Sequence, residues 1–461
     1  MRNVDPAEVA ARLRTAPRLA VLDDDPTGTQ TVKDIPVLTT WSVDDLRWAL
    51  RQDSTAFFVL TNTRSLSPRD AATRNREVAR ALHAASVAEN VPYVIASRGD
   101  STLRGHFPLE TDVLAEESAA AGAAPDGVVL VPAYIEAGRL TVDSVHWMRT
   151  ADGLLPVGES EFAKDATFGY TSSTLPDWVE EKTKGRTPAD RVLRITLTDL
   201  RTGGPDHVAG RLATLRGGTT AVVDAVCDDD LRVLALALAE AEENGSRLLY
   251  RVGPSFVRAC AGQPAHPPLD PAELRPLRAP DARHGLIVVG SHVSLTTRQL
   301  DHLRDVAGDV AEHELDVARL LDPVSRDGHI RDVAYRAATT LAKADTVIRT
   351  TRTVVTATDP DESLAISRSV SAALVETVRL ITAARRPAFV IAKGGITSSD
   401  TATHGLDIRR AWARGTLLPG IVSLWQPVDG PATGVPYIVF AGNVGGDEAL
   451  TDALALLRRA A

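Results

Sequence analysis

Cysteine is scarce. The 461 residues hold two, Cys227 and Cys260, with no Cys-x-x-Cys pair. That argues against a disulfide framework or a cysteine-based zinc site, and makes a reducing cytoplasm the expected compartment. No apolar run approaches the ~18 residues of a membrane span, and the N-terminus lacks the apolar core of an export signal. There is no long basic block. The net charge of −9 is spread along the chain, which argues against a nucleic-acid or anionic-membrane partner. No repeat of short period is visible. The Walker A pattern, a G-x-G-x-x-G turn opening the second half, and the G-x-S-x-G elbow are all missing. His106 and His404 have no metal-ligand spacing around them.

What is present is ordinary for a globular protein: 44% apolar and 24% charged residues. The length implies two or more domains, at roughly 100–200 residues each. Short apolar runs alternate with longer amphipathic segments. That pattern predicts an α/β fold of two domains, each a largely parallel sheet flanked by helices.

The chain is organised around Leu22-Asp23-Asp24-Asp25-Pro26-Thr27-Gly28-Thr29. An apolar strand over 19–22 runs into three acids, and Pro26 and Gly28 force a turn. Carboxylates thereby sit at the C-terminal edge of a strand, where open α/β sheets bind ligands. Two chemistries fit. Asp23-x-Asp25-x-Thr27 matches the D-x-D-x-T pattern of haloacid-dehalogenase-like phosphatases, with Asp23 as nucleophile, Asp25 as acid/base and Asp228-Asp229-Asp230 as a late metal-binding pair. Alternatively, an aspartate here is a general base that deprotonates a substrate hydroxyl during phosphoryl transfer.

Further strand-end loops lie downstream. A strand over 56–60 leads to Arg64, and a strand over 93–96 leads to Ser97-Arg98-Gly99-Asp100-Ser101-Thr102-Leu103-Arg104-Gly105-His106. Helices are expected over 44–51 and 68–90 and from Pro108. Forked guanidiniums from Arg64, Arg98 and Arg104 match a carboxylate or phosphate bidentately. Residues 139–184 are polar and weakly periodic, an expected excursion or lid. More βα pattern comes after it, including a strand over 191–197. Asp228 to Asp230 open a helix, where acids complement the dipole.

A proline-dense linker over 263–284, carrying Pro264, Pro267, Pro268, Pro271, Pro276 and Pro280, separates domains over 1–262 and 285–461. In the second domain three strands end in glycine turns: Gly290-Ser291, Lys393-Gly394-Gly395-Ile396-Thr397 and Gly442-Asn443-Val444-Gly445-Gly446. Glycine lets the backbone approach an anion, and the helix start then holds it. Lys393 adds a point charge, and Thr296 with Gln299 have capping-box spacing. An acid-and-arginine site in one half and an anion cradle in the other suit a phosphotransferase working in the cleft between them.

In this order and spacing the motifs resemble the four-carbon acid sugar kinase family, formerly a family of unknown function. They are Asp24-Asp25-Pro26-Thr27-Gly28, Asp100-Ser101-Thr102-Leu103-Arg104-Gly105, Pro132-Ala133 through Gly138-Arg139, Glu161-Phe162-Ala163-Lys164-Asp165, and the three glycine turns. The resemblance implies an ATP-dependent kinase that forms the 4-phosphate of threonate, erythronate or an oxo-tetronate. It places Asp24, Asp25, Arg64, Asp100 and Arg104 at the acid sugar, with Asp24 or Asp25 as base. It places Ser291, Gly394, Gly395, Ile396, Thr397 and Gly445 at ATP. Mg²⁺ is implied by the chemistry of ATP, with no ligand set legible; a homodimer stays open. The family usually has Ala at 23, Lys at 98, Asn at 106 and Glu at 396. The changes at 98 and 106 touch the substrate loops, and Ile396 removes a carboxylate from the nucleotide turn. A non-catalytic sugar-acid or nucleotide sensor is the third reading.

Overall fold

The computed structural model describes residues 3–277, 279, 281–353 and 360–460, without the side chains of 360–364. Pro280 of the proline-rich stretch lies outside the described residues. The chain divides into two compact units, Met1–Ala265 and His266–Ala461.

The first unit carries β1 (Arg18–Asp23), β2 (Ile35–Leu38), β3 (Ala56–Leu60), β4 (Tyr93–Arg98), β5 (Gly127–Val131), a meander of β6 (Arg139–Val142), β7 (Val145–Thr150) and β8 (Gly153–Pro156), then β9 (Leu193–Ile195), β10 (Thr219–Val223) and β11 (Leu248–Val252). Among the described residues its main sheet is parallel, in the order β2-β3-β1-β4-β11-β5-β10-β9. Helices cover both faces, so the central strands are apolar throughout, as buried parallel strands must be. Ala20, Leu22, Phe57 and Val59 pack against Leu46, Val78 and Leu82 of two such helices. The longer, Pro68–Glu89, starts at Ser67, whose side chain accepts from the Asp70 N–H, and stops at Asn90 in the left-handed conformation. The chain leaves β1 toward β2 and β3 and then crosses to β4 on the other side. That reversal opens a crevice at the C-terminal ends of β1 and β4.

Residues 139–184 carry regular structure that their weak periodicity conceals. Asp143 and Ser144, both with positive φ, make the tight β6–β7 turn. Their N–H groups donate to the Asp224 carboxylate at 2.9 and 2.8 Å. Trp178, from the helix Leu175–Lys182, is buried and stacks on Phe107 at 4.7 Å. The strand expected over 191–197 shrinks to β9, because the Thr196 and Leu197 N–H groups are taken by the Asp199 and Asp224 carboxylates.

The second unit carries β12 (Leu286–Val289), β13 (Ala311–Leu315), β14 (Thr346–Thr350), β15 (Val390–Lys393), β16 (Arg410–Thr416), β17 (Val422–Pro427) and β18 (Tyr437–Phe440). β13-β14-β12-β15-β18 are parallel, and β17 and β16 continue the sheet antiparallel. Ile287, Ile391, Ile438 and Phe440 form its core with Leu300, Leu450 and Leu454. Here too the strand order reverses, at β12 and β15, so two glycine turns leave from the switch point and the third from neighbouring β18.

Candidate functional site

In the first unit the three polar loops converge because β3, β1 and β4 are adjacent. Asp24 is buried, and Arg64 binds both its oxygens, Nη2 to Oδ1 at 2.5 Å and Nε to Oδ2 at 3.2 Å. Asp25 caps the 3₁₀ turn Pro26–Thr31 by accepting from the Thr27 N–H at 2.9 Å, and Arg64 Nη1 lies 3.6 Å from its other oxygen. Asp25 is the most open of the three acids, its side chain 20% exposed against 2% for Asp24. Arg104 donates to Asp100 at 2.7 Å and lies over the Phe162 ring. All five residues assigned to the acid sugar therefore meet at one edge of the sheet.

Asp23 faces elsewhere. Its Oδ1 accepts from Arg98 Nη1 at 2.9 Å. A Cβ at Gly28 would lie 2.0 Å from its Oδ2, so this glycine makes room for the carboxylate. Burial pushes the Asp23 carboxyl up to about 7 against the pull of Arg98, with Asp24 and Asp25 adding to the rise. Burial also opposes ionisation of Asp25 and Asp100, but nearby guanidiniums win. Arg64 and Arg98 with the Thr27 hydrogen bonds hold Asp25 below the usual carboxylate range. Arg64 and Arg104 hold Asp100 well below it.

The 139–184 stretch walls the Asp100 loop. His146 Nε2 meets the Ser101 carbonyl at 2.8 Å, the Tyr170 hydroxyl donates to the Thr102 carbonyl at 2.6 Å, and Asp165 lies 3.6 Å from Arg104. Burial lowers His146 to about 4, which keeps it neutral. His106 is buried with Nε2 3.1 Å from the Thr63 and Leu66 carbonyls, so it braces the Arg64 loop.

In the second unit the three glycine turns also meet. A Cβ on Gly290 would lie 2.3 Å from Thr397 Oγ1, one on Gly394 3.1 Å from Ser291 Cβ, and one on Gly442 2.5 Å from Ser291 Oγ. Gly394 and Gly445 have φ of +121° and +82°, a region that side chains disfavour. Gly395 opens a short helix to Asp400, and Ile396 on it is exposed. The helices Ser294–Val306 and Gly395–Asp400 start without a side-chain cap, leaving N–H groups open toward the turns. Two expectations change. Thr296 and Gln299 make no capping box: the helix starts at Ser294, both are buried, and they reach across to the third turn. Thr296 donates to the Gly442 carbonyl at 3.0 Å, and Gln299 to the Val444 and Gly446 carbonyls at 3.0 and 2.8 Å. Lys393 offers no open point charge. Its ammonium is buried, donates to the Ala441 carbonyl at 2.7 Å and lies 3.7 Å from the Phe440 ring centre. Burial lowers it to about 7.

Against known families, a sugar-binding N-terminal domain matches residues 19–260 and a nucleotide-binding C-terminal domain matches residues 286–450. The chain belongs to the four-carbon acid sugar kinase family. The two units of this family member thus correspond to a sugar-binding and a nucleotide-binding domain. No curated protein matches it. Two solved structures share its fold: a Salmonella typhimurium LT2 protein described as a candidate tRNA synthase, and a Haemophilus influenzae protein of a family of unknown function. The first is 18% identical with a TM-score of 0.68, covering 95% of this chain and 98% of that one. The second is 19% identical with a TM-score of 0.62, covering 95% and 100%.

Three further residues beside these loops stand in no sequence motif. Arg251 and Glu110, buried in the sugar-binding domain, pair at 2.8 Å beneath the Asp100 loop. Arg352, in the nucleotide-binding domain, donates to the Ser291 carbonyl at 2.5 Å and to Thr297. Arginine at the end of an apolar strand is the one legible hint for Arg251. Among the described residues no helix is long and apolar enough to cross a membrane, and no three His, Cys, Asp or Glu side chains converge to hold a metal ion.

Proposed function

We propose that the protein is an ATP-dependent kinase that phosphorylates the terminal 4-hydroxyl of a four-carbon sugar acid such as threonate, erythronate or an oxo-tetronate. The observation that carries this reading is the carboxylate–guanidinium cluster at the strand ends of the sugar-binding domain. A small acid with several hydroxyls needs both kinds of group: guanidiniums for its carboxylate and carboxylates for its hydroxyls. Arg64 and Arg104 supply the first, their side chains 20% and 24% exposed at the strand ends. Asp24, Asp25 and Asp100 supply the second.

Phosphoryl transfer requires positioning and charge compensation more than strong base catalysis. Asp25 is the open carboxylate, ionised at neutral pH, and serves as the base. The substrate oxygen bonds to the γ-phosphorus as its proton passes to Asp25, and the bond to the leaving ADP oxygen breaks. Asp24, fixed by Arg64, orients the acid. The three turns suit the nucleotide, since glycine lets their backbones pack against one another and two uncapped helix starts leave N–H groups for phosphates. Ser291, Gly394, Gly395, Thr397 and Gly445 would hold the phosphates, with Ile396 on the exposed rim. Mg²⁺ would come with ATP, bound chiefly through the phosphates.

The phosphatase reading fits less well. Its nucleophile, Asp23, is committed to Arg98 and pressed against Gly28. Its late acids are paired, Asp228 with Arg258 at 2.5 Å, Asp229 with Arg232 at 2.9 Å and Asp230 with Arg201 at 2.8 Å. The test is ADP release with ATP, Mg²⁺ and a panel of D- and L-threonate, D- and L-erythronate, their oxo forms, and glycerate. ADP formed above the blank with one acid supports the kinase and names its substrate. Phosphate released from a sugar phosphate without ATP would instead establish the phosphatase. Tight binding of acid or nucleotide with no turnover would leave a sensor.

A further inference from the structure

Arg251 projects from β11, and its guanidinium reaches under the Asp100 loop. Nη1 donates to Glu110 Oε2 at 2.8 Å and to Ser97 Oγ at 2.9 Å. The side chain is 6% exposed. Among the described residues Nη2 has no hydrogen-bond partner, and it is not sealed from solvent. A guanidinium nitrogen left open in this way is a ready donor for whatever enters beside it.

The space beside Nη2 is shaped by two glycines. A Cβ on Gly99 would lie 2.2 Å from Nη2, so only glycine lets the loop pass. A Cβ on Gly105 would lie 2.9 Å from Nη2 and 3.1 Å from Asp24 Oδ2. Gly105 therefore leaves a guanidinium donor and a carboxylate acceptor flanking its Cα, a pair with no hydrogen bond between its members among the described residues. A substrate carboxylate does not suit it, because Asp24 would repel the anion. A hydroxyl does: its oxygen accepts from Nη2 while its proton goes to Oδ2.

We propose that Arg251 is a substrate-binding residue which, with Asp24, reads a non-reacting hydroxyl of the sugar acid, the one at C2 or C3, beside Gly105. This rests on the sugar-acid kinase reading and adds a specificity element to it. A site built to bond a hydroxyl rejects an analogue lacking it by about 10⁴-fold or more, because its polar groups are left unpaired. The sequence places no motif at Arg251, and the pair meets where the Gly105 backbone passes at φ +118°.

The experiment compares kcat/KM for the best acid of the panel with that for its 2-deoxy and 3-deoxy analogues, in wild type and in Arg251→Lys. Lysine keeps a cation against Glu110 but cannot also fill the position of Nη2. The expected result is strong rejection of one deoxy analogue by the wild type. In Arg251→Lys that ratio falls at least tenfold, KM for the acid rises, and KM for ATP is unchanged. A purely structural Arg251 would lower activity toward acid and analogue alike, and an unchanged ratio overturns the proposal. If Arg251→Lys does not fold, Arg251→Gln is read the same way: its amide can keep Glu110 or Ser97 but cannot also fill the position of Nη2, and binding of the acid, measured by calorimetry, must weaken at least tenfold while that of the deoxy analogue does not. A wild type that binds an acid but accepts both deoxy analogues equally refutes this inference alone. A wild type that takes no acid in the panel refutes the kinase reading and the inference with it.

Discussion

Lys393 gives the most quantitative test of the nucleotide-binding domain. Its ammonium is fully buried. Among the described residues it contacts the Ala441 carbonyl and the Phe440 ring face, with no carboxylate against it. Burial lowers it from 10.5 to about 7. The unfolded chain therefore binds a proton between pH 7 and 10.5 that the folded chain lacks, so stability rises with pH across that window. At about 1.4 kcal/mol per pH unit, the ceiling on this rise is about 5 kcal/mol. The carbonyl bond and the ring face each favour the charged form by about 1–2 kcal/mol, so roughly half the ceiling should be seen. Lys393→Met removes the titration while nearly keeping the volume. In urea unfolding at pH 6.5, 8 and 9.5, the variant should be more stable than wild type by about 2–3 kcal/mol at the lowest pH. The advantage should vanish toward pH 10, where the neutral amine still bonds Ala441 and the variant loses about 1 kcal/mol. The variant also unties the second and third glycine turns, so KM for ATP should rise. A variant destabilised equally at every pH would refute the assignment of a desolvated, titrating ammonium.

The same geometry sets other outcomes. Asp25→Asn should lower kcat by about 10²–10⁴ in the ADP assay with KM for the acid little changed. Asp24→Asn should chiefly raise that KM, and Asp23→Asn should be milder than either. Gly442→Ala places a methyl 2.5 Å from Ser291 Oγ; it should raise KM for ATP and leave KM for the acid alone. Trp178→Ala removes a buried indole stacked on Phe107. It should cost about 3–5 kcal/mol, read as a shift of the thermal midpoint. Asp224→Ala frees the β6–β7 turn from its carboxylate anchor. Proteolysis should then cut within 139–184 faster than in wild type, and unchanged cleavage would show that the anchor does not hold the meander.

The sequence by itself determined the α/β class and the loops that matter. Strands buried on both faces are unbroken apolar runs, and a polar turn comes directly after each; both are local properties that composition displays directly. Asp24, Asp25, Arg64, Asp100 and Arg104 can be marked as candidates because they stand at such strand ends. The strands β13, β16 and β17 escape a reading of this kind. β13 is half exposed, and β16 alternates buried and partly exposed residues, so neither reads as a buried run. Only the tertiary structure decided which candidates share a site. Asp23 and Asp24 are neighbours in sequence and both lie near Arg98, but Asp24 alone is held by Arg64, through both its oxygens. Thr296 and Gln299 fit a cap by spacing, yet the carbonyls they serve lie about 145 residues further along the chain. Arg251, next to last in its strand, and Lys393, last in its own, both close apolar runs and look alike on paper. One keeps a nitrogen without a partner beside Gly105 and the other spends its charge inside the domain, because each is set by backbone from a distant part of the chain.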